Sequence, residues 1–278
     1  MQFFYHKDSG LESITLDSKD AHYLFHVRRF KQGETLLTTN LNDMQLYSYQ
    51  HEKKNTFKLI GLHSKVTQPK AYTHILLAMI DLKDIYDILP ILNALNVASL
   101  QLFYADFSQK NRKIDMQKAQ RILQYSCMQC GRMQPLEIAI HKNLESVCKA
   151  FPNAIAIDFL DSSVKVQDRE NLDSKNSRVE QGETSQNLDS NNTPLFLVTQ
   201  NTKNLSQTPS KQAQQTFENL TQQERQNIAK NGIIIGCEGG FSHNERKFLH
   251  TTQRVYALQA PFILTAHLVS TYIASFCV

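Results

Sequence analysis

The sequence predicts an α/β protein with a small β-barrel as a separate N-terminal domain. From about residue 70 onward, buried strand-like runs alternate with helical stretches, which is the pattern of a parallel sheet with helices on its faces. Before that point, short β-type runs surround one helical turn, as in a small barrel. The predicted domains are therefore residues 1–69 and 70–278.

The N-terminal domain contains five runs that predict strands: QFFYH, SITL, ETLLTTN, MQLYSYQ and TFKLIGL. Between the second and third runs, Asp17 or Ser18 could cap a helical turn that ends in Arg28, Arg29 and Lys31. Such a basic run is often only a solvated surface. Beside a small barrel it fits nucleic-acid binding equally well, so both interpretations stay open.

The second domain begins after a predicted hinge at residues 68–70, where Pro69 restricts the residue before it. Its predicted strands are HILLAMI, VASLQLFYAD, LEIAI, FPNAIAIDF, IIIG and RVYAL. Its predicted helices are IYDILPILNALN, IDMQKAQRILQYSCMQCGR and a polar stretch from Ser210 that Gly232 caps. Residues 161–193 are poor in apolar side chains and predict a mobile insertion, followed by an edge strand at residues 194–200.

Composition narrows the class of protein without naming it. The formal net charge of +4 permits a polyanionic partner but does not demand one. Residues 255–278 carry no charge, yet their scattered polar groups favour a segment buried in protein over a membrane span. Five cysteines and an N-terminus without a basic or apolar leader predict a reducing cytoplasm.

Two pairs of potential metal ligands are present, and each is incomplete as a site. Cys127 and Cys130 form a CxxC, but a structural zinc site needs further ligands at suitable spacing, so ordinary thiols on a helix are predicted. His22 and His26 would share one helix face, but no HExxH glutamate lies between them. They predict a surface or RNA-facing turn, and no metal is expected.

The stretch IIIGCEGGFSHNE, residues 233–245, carries the strongest functional signal. A buried strand ends on Gly236, Gly239 and Gly240, and ligands of parallel sheets usually bind at this edge. Glycines also let a ligand approach the main chain closely. Ser242 and Glu245 then form a capping box that starts a helix. These residues alone leave open a tight turn without a ligand.

Four stretches resemble the RsmE-type small-subunit ribosomal RNA uridine N3-methyltransferases of the SPOUT (trefoil-knot) superfamily. GCEGGFSHNE is similar to the signature GPEGGFSxxE, which is specific. HYLFHVRRFKQGE resembles H-x-x-x-V-x-R-x-x-x-G-[DE] of the PUA-like barrel. SCMQCGRMQP is similar to E-Q-x-x-R-x-x-x-P, with Gln129 and Arg132 in matching places, and ALQAPFIL resembles the second cofactor loop, L-G-x-R-I-L.

The resemblance implies a SPOUT trefoil-knot methyltransferase domain behind a PUA-like barrel, acting as a homodimer on 16S ribosomal RNA of the small subunit. The implied cofactor is S-adenosyl-L-methionine. It would be held by Ile235, Gly236, Cys237, Glu238, Gly239, Gly240, Leu258, Gln259, Phe262, Ile263 and Leu264. The implied RNA contacts are His22, Arg28, Arg29, Lys31, Lys110, Arg112, Lys113 and Arg132.

The last loop departs from the family pattern R-I-L-R-[TS]-E-[TS]-A. Phe262, Thr265 and His267 stand where the family has two arginines and a glutamate. The candidate catalytic residues are Glu238, Arg132 and His267, the last either a general base or a helix-lining histidine. Three functions stay open: an active ribosomal RNA methyltransferase, a non-catalytic RNA-binding relative, and a knotted methyltransferase acting on transfer RNA.

Overall fold

Two β-sheets, each with its own hydrophobic core, organise the described part of the chain. Both belong to one compact unit. The computed structural model describes residues 2–31, 33–109, 112–159, 216–258 and 264–277. The predicted insertion at 161–193 and the predicted edge strand at 194–200 lie outside these residues.

The N-terminal sheet confirms all five predicted strands. They are β1 (Phe4–Tyr5), β2 (Ser13–Thr15), β3 (Thr35–Thr39), β4 (Gln45–Lys53) and β5 (Thr56–Lys65). Their order is β1-β3-β4-β5-β2, and β1 pairs in parallel with β3 while the remaining pairs are antiparallel. The alternation of these runs buries one face, where Phe4, Ile14 and Phe57 lie in the core.

The predicted helical turn of this part begins as α1 (Ser18–His22) and continues as a π-helical turn, Tyr23–Val27. Asp17 rather than Ser18 is the N-cap, because its side chain accepts a hydrogen bond from the Asp20 amide at 2.8 Å. The turn ends at Arg28, and Arg29 follows with φ of 55°. Both arginine side chains are exposed.

The second sheet confirms the predicted parallel arrangement. Its strands are β6 (Thr73–Ala78), β7 (Val97–Phe103), β8 (Glu137–His141), β9 (Ile155–Phe159), β10 (Ile233–Ile235) and β11 (Arg254–Leu258). The order is β11-β9-β10-β6-β7-β8, and β9, β10, β6, β7 and β8 pair in parallel. The carboxyl ends of β10, β6 and β7 therefore meet at one edge.

Helices follow these strands. They are α2 (Leu82–Ala94), α3 (Met116–Cys130), α4 (Leu144–Ala150), α5 (Gln222–Asn231), α6 (His243–Thr252) and α7 (Ala266–Phe276). The sequence did not predict α4, since seven residues show too little helical period. α5 begins later than predicted because Thr221 caps it, and it ends at Gly232 as predicted.

The end of α3 joins the two sheets. Cys127, Met128 and Met133 lie in the core of the N-terminal sheet, although they follow β7 in the chain. The side chain of Gln68 donates to the Gly131 carbonyl at 2.6 Å and accepts from the Met133 amide at 2.8 Å. The residue predicted to be a hinge is thus fixed to this junction, while the boundary at residue 69 stays a prediction.

The charge-free C-terminal segment packs into the main core in its described part. Within α7, Val269, Ile273 and Ala274 are buried. Across the described ranges, no helix combines the length and the apolar character that crossing a membrane requires.

Candidate active site

The glycine turn (residues 236–240) follows β10 at the carboxyl edge of the parallel sheet. The Gly240 amide donates to the Cys237 carbonyl at 2.8 Å, and Gly240 has φ of 70°, a conformation that favours glycine. A Cβ at Gly236 would meet the Gly240 backbone at 3.3 Å. The side chain of Glu238 and the whole of Gly239 are exposed, so the tip of the turn faces solvent.

The predicted capping box at the start of α6 is confirmed, and its two side chains also bond to Asp106, which the sequence did not indicate. Ser242 accepts from the Glu245 amide, and the Glu245 carboxylate accepts from the Ser242 amide at 2.9 Å. The other Glu245 oxygen accepts from the Asp106 amide at 3.0 Å, and the Ser242 hydroxyl donates to the Asp106 carboxylate at 2.5 Å. The segment after β7 is thereby tied to the glycine turn.

Asp106 and its neighbour Phe107 are site residues that the sequence did not single out. Phe107 lies against the turn, since a Cβ at Gly239 would meet its Cβ at 3.1 Å. Its side chain is 59% exposed. Their position directly after a buried strand of a parallel sheet is the one sequence signal that could have identified them.

Cys237 stands where the family signature has proline, and its thiol is buried within the glycine turn. It donates to the Gly240 carbonyl at 3.5 Å. Burial raises the pKa of this thiol from its ordinary value, so the neutral form prevails. The cysteine therefore supports the turn and does not act as a nucleophile.

His267 lies at the same edge of the sheet, in the first turn of α7. Its Nδ1 is 3.7 Å from the Asp84 carboxylate, in the first turn of α2. Because α2 follows β6 and β6 pairs with β10, this pair lies at the edge that carries the glycine turn. The side chain of His267 is 28% exposed, which is compatible with proton exchange.

An ion pair holds α6 against the strand on the other side of β10. Arg246 Nε is 3.0 Å from the Asp158 carboxylate, at the end of β9, although the N–H is not aligned for a hydrogen bond. A Cβ at Gly240 would lie 3.3 Å from the same guanidinium. The turn thus has contacts on both flanks.

The second predicted cofactor loop is described only at its ends. Leu258 is buried at the end of β11, as is Ile235 at the end of β10. Leu264 is half-buried against the main core. Gln259, Phe262 and Ile263 lie outside the described residues.

The predicted RNA contacts other than Arg132 fall in two groups. His22, Arg28, Arg29 and Lys31 are all exposed around α1, and the rings of His22 and His26 stack at 4.9 Å. Arg112 and Lys113 are exposed and line a groove of about 760 Å³ between the starts of α2 and α3. Lys118 contributes to this groove, with Nζ 4.0 Å from the centroid of the Tyr86 ring. Lys110 lies outside the described residues.

Arg132 is not brought together with the glycine turn of the same chain. It precedes β8, so it lies at the edge of the sheet where the parallel strands begin. Its guanidinium donates to the carbonyls of Asn93 at 2.9 Å and Gln134 at 2.5 Å. Burial lowers the pKa of Arg132 from its ordinary value. These contacts tie the end of α2 to the start of β8.

Metal ligation has no geometric support among the residues that the structure describes. No group of three or more His, Cys, Asp or Glu side chains there could hold an ion. Cys127 is buried and Cys130 exposed, and both thiols are free. Burial raises the pKa of Cys127 to about 11, so this thiol is neutral at physiological pH.

Comparison with known proteins supplies the family. A family model described as an RNA methyltransferase domain matches residues 67–188 and 187–266. Ribosomal RNA small subunit methyltransferase E from Helicobacter pylori is 39% identical over 166 residues, which are 57% of this chain and 74% of that protein.

Solved structures show the same fold at low sequence identity. Ribosomal RNA small subunit methyltransferase E from Neisseria gonorrhoeae, bound to S-adenosyl methionine, has a TM-score of 0.60 at 10% identity, covering 99% of this chain and 95% of that one. A protein from Legionella pneumophila, described as a methyltransferase in complex with its bound cofactor SAM, has a TM-score of 0.63 at 15% identity, covering 99% and 96%. The resemblance seen in the glycine motif is confirmed: the chain belongs to the RNA methyltransferase family of ribosomal RNA small subunit methyltransferase E.

Proposed function

We propose that this protein transfers the methyl group of S-adenosyl-L-methionine to N3 of a specific uridine in 16S ribosomal RNA of the small subunit. The observation that carries the proposal is the glycine turn (residues 236–240), set at the carboxyl edge of a parallel sheet in a chain of this family. Such an edge is where open α/β sheets bind their ligands.

The residues of the turn fit this cofactor. Its tip presents main-chain groups to solvent at Gly239, where a ligand can approach closely, and the ends of the second loop, Leu258 and Leu264, lie against the same core. Main-chain recognition tolerates side-chain change, which accounts for Cys237 in place of proline. When bound, S-adenosylmethionine supplies an electrophilic methyl group.

Exposed cations around α1 and in the α2–α3 groove would contact RNA phosphates. Arg28 and Arg29 follow the π-helical turn, and Arg112 and Lys113 lie at the start of α3. Phosphate contacts position an RNA without selecting a base. Because N3 lies on the Watson–Crick edge, a paired target must leave its helix before it can react.

We further propose that His267 accepts the N3 proton. Uridine N3 is protonated at neutral pH and must lose this proton to become a nucleophile. The Asp84 carboxylate, 3.7 Å from Nδ1, would stabilise the imidazolium that forms. This pair would replace the glutamate that the family pattern places nearby. Glu238, exposed on the turn, is the second candidate for the base that accepts the N3 proton. Arg132 has no place in this chemistry within one chain.

We also propose that the chain forms a knot and that two copies form a homodimer. The C-terminal segment, containing β11 and α7, would form the trefoil knot, and the N-terminal sheet would close as a PUA-like barrel. Exposed apolar side chains on two neighbouring helices, Ile91 on α2 and Leu268 on α7, support a homodimer. Light scattering coupled to size exclusion tests the dimer, and a monomer at all concentrations would overturn it.

The function is tested by calorimetric titration with S-adenosylmethionine and by methyl transfer to unmethylated small ribosomal subunits. The wild type should bind the cofactor and methylate one uridine at N3. Gly239→Val should abolish binding, because its added side chain occupies the exposed tip and pushes on Phe107. Gly61→Val on β5 is the matched control, since a Cβ there meets nothing within 4 Å, and it should bind normally.

Two results would overturn the proposal in different ways. Binding without transfer, or no binding, would identify a non-catalytic RNA-binding relative. Methylation of transfer RNA instead of small subunits would retain the chemistry and replace the substrate. His267→Asn, prepared in parallel, should lower the rate of transfer while leaving cofactor binding intact.

A further inference from the structure

Phe107 is an exposed aromatic side chain at the lip of the glycine turn. Single exposed apolar residues are common on proteins, so exposure alone says little. The position of Phe107 is what distinguishes it, because its 59% exposed side chain lies directly beside the exposed tip of the turn. A Cβ at Gly239 would be 3.1 Å from Phe107 Cβ and 3.4 Å from Cδ2.

The backbone that carries Phe107 is fixed on both sides of the residue. Asp106 is held through its amide by Glu245 and through its carboxylate by Ser242. Ser108 donates its amide to the Ala105 carbonyl and accepts the Ala105 amide on its hydroxyl, both at 3.1 Å. The ring is therefore presented with little backbone freedom to lose on binding.

The connection that carries this ring continues in the sequence into two exposed cations. Arg112 and Lys113 follow in the same connection between β7 and α3, and they line a groove of mixed charge that also contains Lys83, Lys118, Asp81, Asp87 and Asp115. Aromatic side chains and cations are the groups with which proteins hold unpaired nucleotides, because every base has a π-face and every nucleotide a phosphate.

We propose that the ring of Phe107 is the platform on which the nucleobase that receives the methyl group stacks. This inference rests on the function proposed above and adds a positioning residue to it. A base leaving its helix loses the stacking of its neighbours. The Phe107 ring replaces part of that stacking and holds the base beside the turn that binds the methyl donor.

Three substitutions separate stacking from packing. Phe107→Leu keeps an apolar side chain of similar length against Gly239 but has no aromatic face, whereas Phe107→Tyr keeps the face. Ile60→Ala, on β5 of the N-terminal sheet, is the control for loss of an exposed apolar side chain, since Ile60 is 56% exposed and does not line the groove. Each variant is assayed for cofactor binding and for kcat and KM with unmethylated small subunits.

We expect Phe107→Leu to bind S-adenosylmethionine as the wild type does and to lose about 5- to 150-fold in kcat/KM for the subunits, the range of one base–aromatic stack. Phe107→Tyr should stay close to the wild type, and Ile60→Ala should be unchanged. This pattern would not follow from a purely structural role.

The sequence contains no tryptophan, so a direct reporter is available. Phe107→Trp introduces a single fluorophore whose emission a stacked base should quench when a protein-free fragment of 16S ribosomal RNA is added. Ile60→Trp, in the N-terminal sheet, is the matched reporter and should show no quenching.

The outcomes are distinguishable. Equal activity of Phe107→Leu and the wild type, equal loss in the Leu and Tyr variants, or unquenched emission from an active Phe107→Trp variant would overturn the stacking role. Loss of cofactor binding in Phe107→Leu would show instead that the ring supports the turn. A wild type that binds cofactor but methylates no RNA would overturn the proposed function itself.

Discussion

Removal of the Glu245 carboxylate tests the link between the glycine turn and the segment after β7. The residue is 9% exposed, and its carboxylate accepts two backbone hydrogen bonds, from the Ser242 amide at 2.9 Å and from the Asp106 amide at 3.0 Å. Glu245→Ala leaves both amides without this partner. Ser242 is the other side chain of the described site that bonds to the segment after β7, through its hydroxyl and the Asp106 carboxylate.

The magnitude follows from the two orphaned donors. A buried donor left without a partner costs about 1–3 kcal/mol, so the pair sets an upper range of roughly 2–6 kcal/mol. Water can reach the half-buried Ser242, which brings the expectation to about 2–4 kcal/mol. For a chain of this size each kcal/mol lowers Tm by about 2–4 °C, so Tm should fall by roughly 4–16 °C.

Scanning calorimetry and urea unfolding measure this loss, and cofactor titration reports the effect on the site. Glu224→Ala is the matched control, because Glu224 makes the same capping contact with Thr221 at the start of α5 but is fully exposed. It should lose clearly less stability and no cofactor affinity. If the two variants unfold at the same temperature, or Glu245→Ala matches the wild type, the reasoning is refuted.

Three further changes test individual features. Gly240→Ala forces a side chain into φ of 70° and should cost about 1–2 kcal/mol in urea unfolding; an unchanged midpoint would contradict the turn geometry. Asn93→Ala removes the acceptor of the buried Leu136 amide, at 3.0 Å, and a donor to Ser126. It should lower the unfolding free energy by about 2–4 kcal/mol in urea, and a loss below about 1 kcal/mol would contradict this expectation. Burial lowers the pKa of His74 below 6.5, so its contribution to stability is complete above that pH and is lost as pH falls through the folded value. His74→Gln should therefore flatten the decline of unfolding free energy between neutral pH and about pH 5, and identical slopes would refute this.

Local signals explain why much of the fold was predicted. Alternating apolar residues indicated the strands, and the capping residues Asp17 and Ser242 and the terminating Gly232 indicated helix ends, because each acts through bonds or dihedral angles within a few residues. The helix α4 was not predicted, since its cap is Asn143 with Ser146, and its seven residues are too few to show a period.

The sequence predicted the part of the candidate site whose residues are consecutive in the chain. The glycine turn is one stretch of sequence, and its position at the carboxyl edge followed from the parallel sheet. Arg132 was expected near the target base; within one chain it lies at the opposite edge of its own sheet, bonded to the end of α2, so this role stays a prediction. A motif match names a residue without locating it, because location depends on strand order.

The amino-acid sequence by itself determined most of the strands and helices, the glycine turn with the capping box that follows it, and which family the chain resembles. Tertiary structure alone decided the partners of the site. Asp106 contacts Ser242 across 136 residues of sequence, Phe107 lies against Gly239, and Asp84 contacts His267. These contacts form because β10 pairs with β6 and β6 pairs with β7. A local sequence pattern does not specify which distant strands pair, so it cannot specify the contacts at their ends.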